Sequence, residues 1–339
     1  GRGANDDKGQ TFMHVKAFEY LVRNGLLKHN VKFIFEGEEE VGSKNLPDWV
    51  EANKEMLACD VILVSDTTML SDKVPSINCG MRGVTYLQVN VKGPDKDLHS
   101  GHYGGAVANP INTLCDMISS LIDKDGRVTI PGFYDDVEEL SAEDRASLAR
   151  APFDMEEYKE SIGIKEVKGE KGYTTLERTA IRPCLDVCGI WGGYTGVGSK
   201  TVLPSEAHAK ISMRIVPNQK ADKIIDLAAK HILAIAPPYV EVSVEKMEAG
   251  NGFLIPITSP AYKAASRAMT EVYGIEPVPS RGGGSICVLA DMRNILGADP
   301  LLMGFGLERD TIHSPNESYL LRQFYAGIES ITLFYEYWK

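Results

Sequence analysis

No stretch of this 339-residue sequence approaches the roughly 20 consecutive apolar residues that a membrane-spanning helix needs. The longest apolar stretches, such as Ile224 to Ala236 and Val61 to Val64, are short or broken by charge, so the chain is expected not to cross a membrane. Basic residues are outnumbered, 36 against 47 acidic, and the net charge of −11 repels phosphate backbones; nucleic acid is excluded as a partner on average field. The six cysteines, at 59, 79, 115, 184, 188 and 287, include no C-x-x-C pair, so no structural zinc knuckle is encoded. Reduced thiols in a cytoplasmic protein are the simpler reading. Internal repeats and low-complexity tracts are absent, and so are an initiator Met and a charged-then-apolar leader before Gly1-Arg2-Gly3. The native beginning is therefore expected upstream, which leaves a signal peptide open.

What is present is ordinary globular composition, 43% hydrophobic and 24% charged, in a chain long enough for about two domains. The first eighty residues alternate a helical pattern over Phe12 to Leu27, a β-rich run Val31 to Phe35, a helical pattern over Leu46 to Leu57 and the apolar run Val61 to Val64. That order predicts an α/β fold, a mostly parallel sheet with helices on both faces. From Gly83 the grammar changes. Leu87, Val89 and Val91 alternate with polar residues, as do Ala209, Ile211 and Met213 and then Val240, Val242 and Val244, separated by helices over Val107 to Ile122 and Ala221 to Ala236. After Pro260 the first style returns, with a helix over Ala261 to Tyr273, the run Leu301 to Met303 and a helix over Leu320 to Tyr337. An α+β domain spanning 84–260 is thus expected inside a domain formed by 1–83 and 261–339. An acidic stretch from Asp123 to Thr175 reads as a long insertion within it.

Acidic clusters fall where a parallel sheet presents its ligand sites, beyond the carboxyl ends of strands. Glu38-Glu39-Glu40 follows Val31 to Phe35, and Asp66 follows Val61 to Ser65. Asp6-Asp7 precedes the first helix, whose N-terminus favours carboxylates, and His313 lies in a polar loop. Carboxylates plus a histidine suit zinc or manganese. Taken singly, each has a plainer meaning, a solvated acidic face or an exposed loop histidine.

Taken together, Gly1-Arg2-Gly3-x-x-Asp6-Asp7-Lys8-Gly9, Glu36-Gly37-Glu38-Glu39-Glu40-Val41-Gly42-Ser43, Ser65-Asp66, Asp97-Leu98-His99-Ser100-Gly101, Arg214-Ile215-Val216-Pro217-Asn218 and His313-Ser314-Pro315-Asn316-Glu317 resemble the dizinc metallopeptidases. That family includes carnosinase-type dipeptidases, aminoacylases, succinyl-diaminopimelate desuccinylase and glutamate carboxypeptidase. The resemblance implies a zinc-peptidase-like catalytic domain with an inserted lid and dimerisation domain. It implies two divalent metal ions per subunit, zinc first and manganese or cobalt as alternatives, bridged by Asp6, with Glu40 and His313 on one ion and Asp66 on the other. Glu39 becomes the general base that takes a proton from a metal-activated water and hands it to the leaving amine. His99 becomes the oxyanion donor that reaches the partner subunit's site in a homodimer; on local grounds it equally caps a turn. Arg214, otherwise a surface salt-bridge residue, becomes the fork for a substrate carboxylate, assisted by Thr201, Gly284 and Ser285. The Asp6–Asp7 peptide is expected to be cis.

Two departures stand beside this match. The family's H-x-D histidine precedes the Asp-Asp motif, whereas His14 and His29 follow it, and His14 reads as a packing or surface residue. The polypeptide is therefore expected to be a fragment, itself weakly active or inert. No histidine lies in Glu248 to Phe253, where carnosinase-like members often carry one. The long insertion favours the dipeptidase branch, hydrolysing the amide of a small peptide. N-acyl-amino-acid deacylation or desuccinylation is the same-class alternative, and a catalytically dead dimeric scaffold the different-class one.

Overall fold

The computed structural model describes the backbone of residues 1–339 and every side chain except those of Glu143, Asp144 and Ser147. Helix α1 (Lys8–Arg23) buries Gln10, Met13, Ala17 and Leu21, a spacing of three and four residues that lines one helical face. It starts earlier than the apolar pattern predicts and stops before Gly25, whose φ of +63° no right-handed helix adopts. The expected strand Val31 to Phe35 does not form. The segment is non-regular backbone; Phe33 stacks on Phe35 and meets the edge of Phe18. A strand exists only through its ladder, and among the described residues no neighbouring strand pairs with this one, so its β-branched composition has nothing to act on. The helix expected over Leu46 to Leu57 is two, α2 (Leu46–Ala52) and α3 (Lys54–Leu57), divided at Asn53.

After β1 (Ile62–Val64) and β2 (Ser76–Met81), β3 (Gly83–Lys92) alternates buried and half-buried positions, the mark of a sheet covered on one face. The short strand β4 (Leu98–His99) leads into α4 (Ser100–Tyr103), followed by α5 (Pro110–Ser120), which starts with Pro110 in its first turn and the Asn109 side chain accepting the Ile111 N–H. The acidic insertion carries α6 (Ala142–Leu148) and α7 (Met155–Ile162) and ends at α8 (Thr175–Ala180), which is opened by a capping box between Thr174 and Glu177. Then come β5 (Cys184–Gly192), β6 (Val202–Leu203), β7 (Glu206–Ile215), α9 (Ala221–Ala234), β8 (Glu241–Gly250), β9 (Phe253–Leu254), α10 (Pro260–Tyr273), β10 (Val278–Gly282), α11 (Cys287–Leu296), β11 (Pro300–Leu302) and α12 (Leu321–Tyr337).

The strands form two main sheets. One has the order β1-β11-β2-β10 with β9 added to β2; β1 with β11 and β2 with β10 are parallel, while β11 with β2 and β9 with β2 are short antiparallel contacts, so this sheet is mixed. The other is wholly antiparallel, in the order β5-β7-β3-β8, with β3 and β7 in register from Gly83 opposite Ile215 to Lys92 opposite Glu206. Each sheet has its own apolar core. Met13, Ile77, Leu302, Phe305 and Phe334 lie in the first, and Leu87, Leu114, Phe133, Ile211 and Ile224 in the second. The chain passes between them at Met81 to Gly83 and again at Gly250 to Phe253. No helix is long and apolar enough to cross a membrane.

Candidate active site

Glu317 organises the loop that carries the first acidic pair. Its carboxylate accepts the backbone N–H groups of Gly3, Asn5 and Asp6 at 3.2, 2.9 and 3.0 Å and pairs with the Arg2 guanidinium at 3.0 Å. Burial alone would raise its pKa, but the Asp6, Asn5 and Gly3 amides and Arg2 outweigh that and hold it near 2. A second tie runs through side chains. Asn5 donates to Asp310 at 2.6 Å and accepts from Gln10, which also receives the Phe305 N–H. Held in this way, the loop reaches Asp6 with the Asp6–Asp7 peptide cis, as expected.

Asp6, Glu40 and His313 converge, each offering one ligand atom within 4.8 Å of the others. His313 has a φ of +59°, a conformation non-glycine residues adopt rarely and mostly where surrounding structure enforces it. From that turn its Nε2 lies 2.9 Å from Asp6 Oδ2 and 2.9 Å from Glu40 Oε2. The Arg2 guanidinium touches the same pair, 3.0 Å from Asp6 and in contact with Glu40. Arg2, Glu40 and His313 line an open cavity of about 430 Å³ with Ser314 and Pro315.

Asp66 stands outside this trio, beside Asp7, Glu39 and Asp6. Burial, reinforced by those three carboxylates, pushes its pKa up to about 8. Burial likewise raises Asp7 to about 7, against the Thr11 hydroxyl bond and with help from Asp6 and Glu39. Glu39 is raised by burial and by Asp6 and Glu36, while His313 and Arg2 pull it down. Asp7 Oδ1 is buried with no hydrogen-bond partner among the described residues. Carboxylates crowded out of water, one with an orphaned oxygen, next to an imidazole, are a donor set that fits divalent cations. Among the described residues, no other group of three such donors meets the spacing of Asp6, Glu40 and His313.

The remaining expected residues form two further groups. Arg214, at the end of β7, donates to Ser285 Oγ at 2.9 Å, next to Gly284. His99 lies in the antiparallel β4–β6 pair and Thr201 just before β6, where Ser100 N–H donates to the Thr201 carbonyl at 3.1 Å. His99 Nδ1 accepts the Gly101 N–H at 3.0 Å, so the turn-capping role exists. It also leaves the proton of the neutral ring on Nε2, the tautomer an oxyanion donor needs. His102 stacks on the ring at 4.4 Å. His14 is a packing residue, hydrogen-bonded to Ser65 at 2.8 Å and kept neutral by burial, its pKa near 4.

Arg2, Asn5, Asp310 and Glu317 were not singled out by the sequence reading, although Arg2 and Glu317 lie inside the matched motifs. Their signal was available in those motifs: an arginine four residues before Asp6 and a glutamate four after His313. Nothing in either segment alone says that it meets the other.

A profile of Peptidase family M20/M25/M40 matches residues 1–337. The chain is 34% identical over 335 residues to the Cys-Gly metallodipeptidase dug1 of Schizosaccharomyces pombe, covering 97% of this chain and 70% of that one. Its structure is similar to that of an M20 family metallo-carboxypeptidase, Sso-CP2 from Sulfolobus solfataricus, with a TM-score of 0.88 and 34% identity over 99% of this chain and 76% of the other. It is also similar to human carnosine dipeptidase 1, with a TM-score of 0.83 and 30% identity over 99% and 72% of the two chains.

Proposed function

The chain belongs to peptidase family M20/M25/M40, and on that premise we propose that it is a metal-dependent dipeptidase that hydrolyses the amide of a small peptide with a free carboxylate. The observation that carries the reading is the convergence of Asp6, Glu40 and His313 within 4.8 Å. Asp6, Glu40 and His313 would hold one ion, and Asp6 and Asp66 the other, with zinc first and manganese or cobalt as alternatives. Divalent cations bound there supply Lewis acidity that makes water a nucleophile near neutral pH. Glu39, half-buried and raised in pKa, takes the proton of the attacking water and returns it to the leaving amine. Arg214 binds the substrate carboxylate, with Ser285 and the Gly284 backbone beside it, and Thr201 contributing from the segment beside His99.

The catalytic domain of this reading is 1–83 with 261–339, and 84–260 is the lid. We assign the lid a role in homodimer formation. Strand β5 is the edge of its sheet and exposes Ile190 and Trp191, with Tyr194 just beyond, a surface suited to a second copy. His99, exposed at the end of β4 with the proton on Nε2, then serves the partner's oxyanion. Six free thiols fit a cytoplasmic setting.

The test is hydrolysis of Cys-Gly and other Xaa-Gly dipeptides against N-acetyl and N-succinyl amino acids after loading with zinc or manganese. Preference for dipeptides supports the reading. Preference for the acylated amino acids replaces it with deacylation, and failure to bind either metal makes the chain a dimeric scaffold relative.

A further inference from the structure

Between β2 and β3, where the chain passes from one sheet to the other, stands a single residue, Arg82. Its side chain is buried, at 8% exposure, yet the bonds that hold its guanidinium go to carbonyls. Nε and Nη2 donate to the Gly283 carbonyl at 3.2 and 3.1 Å, and Nη1 donates to those of Arg178 and Arg182 at 3.3 and 3.2 Å. Nη1 also faces Cys184 Sγ at 3.7 Å. A buried cation is costly unless its donors are satisfied, and here the acceptors come from two places far apart in sequence: the glycine loop after β10, and the end of α8 with the turn that follows.

The backbone of the same residue closes the arrangement. Ser285 Oγ donates to the Arg82 carbonyl at 2.6 Å and accepts from Arg214 Nη1 at 2.9 Å. The loop is also pressed from the other side. A Cβ on Gly283 would lie 2.7 Å from the Thr179 carbonyl oxygen and 3.3 Å from Arg82 Nη2, so only glycine lets the loop sit between them. Gly83, the next residue along from Arg82, has a similar constraint. A Cβ there would meet the Gly250 carbonyl at 2.4 Å, where the returning strand crosses.

We propose that Arg82 is a positioning residue for the substrate-carboxylate anchor: its guanidinium fixes the Gly283–Ser285 loop against the end of α8, its carbonyl fixes the Ser285 hydroxyl, and that hydroxyl fixes Arg214. The proposal rests on the reading of Arg214 as the carboxylate anchor. Four rotatable bonds leave a free arginine widely disordered, and one nitrogen held by Ser285 orients the remaining donors before substrate arrives. The loop belongs to one sheet's domain and Arg214 to the other's, so Arg82 acts where the chain crosses from one to the other, tying the two together through its backbone and its side chain.

Two variants test this, Arg82→Lys, which keeps the charge but cannot reach all three carbonyls, and Arg82→Met, which removes it. Steady-state kinetics are measured on an Xaa-Gly dipeptide and on its C-terminal amide. Hydrogen–deuterium exchange is followed over residues 280–287 and 178–184. For a positioning role, KM for the free acid rises about tenfold or more with kcat changed far less, while the amide's kinetics barely move. Exchange at Gly283 to Ser285 rises by about tenfold in both variants. Equal losses on acid and amide, or loop exchange unchanged in Arg82→Lys, overturn the proposal. A wild-type protein that treats acid and amide alike removes the role of Arg214 instead, and loop exchange then still decides whether Arg82 holds the loop. Should Arg82→Met not fold, Arg82→Lys decides alone.

Discussion

Glu317 accepts the backbone N–H of Asp6 at 3.0 Å, so the carboxylate that holds the acidic loop grips the very residue that would bridge the ions. Near pKa 2 it is ionised throughout the working range. Glu317→Gln leaves the shape but weakens charge-assisted bonds to three amides and Arg2. Metal affinity is expected to fall about 10- to 100-fold, as for other groups that orient metal ligands. Isothermal titration with zinc checks it; unchanged affinity would make Glu317 a stabilising residue only.

Asp66 and Asp7 set a pH dependence whose sign is fixed by the direction of their shifts. Both are raised on folding, from 3.8 to about 8 and about 7. The folded, metal-free protein thus holds protons the unfolded chain has released. Its stability is greatest near and below pH 4 for these groups and declines as pH rises toward 8. Bound cations reverse this, since ligands must deprotonate to bind. Thermal melts of chelator-treated protein should show Tm falling across that window, and added zinc should raise Tm more at pH 8 than at pH 5.

His99 and Glu39 belong to one reaction but, in the proposed dimer, to different subunits' contributions to a site. His99→Ala should lower kcat by about 10²–10³ with KM little changed, the loss typical of an oxyanion donor. Glu39→Ala should abolish turnover while metal remains bound. Mixing the two inactive variants restores activity if the site is shared across the dimer, and leaves it absent if each subunit works alone.

Glu170 is buried between Arg127 and Arg182, at 2.8 and 2.7 Å, with Arg182 also reaching Glu139. This network ties the acidic insertion to the segment before β5. Removing one partner of a buried ion network strands the other, so Glu170→Ala is expected to cost about 3–5 kcal/mol. Urea unfolding followed by tryptophan fluorescence measures it. Replacing Glu170 and Arg182 together by apolar residues should cost much less than the single change predicts.

What could be read in the chain was what is local. Helices α1, α5, α9, α10 and α12 lie within a few residues of the apolar periodicity that announced them, and β3, β7 and β8 follow their alternation. The strand expected at 31–35 failed because pairing is not local. Its residues have β character, but a ladder depends on a neighbour that the segment's own sequence does not describe. The same division holds in the site. Asp6, Glu40 and His313 were legible through the family motifs that contain them, since carboxylates and a loop histidine alone have plainer meanings, whereas Arg2, Glu317 and Arg82 act on segments hundreds of residues away and carry no mark of it.

The loop at residues 1–7 is fastened to the turn at 313–317 at several points, including the Gly1 nitrogen on the Glu317 carbonyl at 2.7 Å. The proposed cation ligands are therefore not a local pocket that one short segment could form. Asp6 and His313 come together only when more than three hundred residues of chain have been looped and the first core has closed beneath them, an entropic cost that grows slowly with loop length. Metal uptake consequently reports closure of the first core, and a chain in which only the antiparallel sheet had formed would bind none.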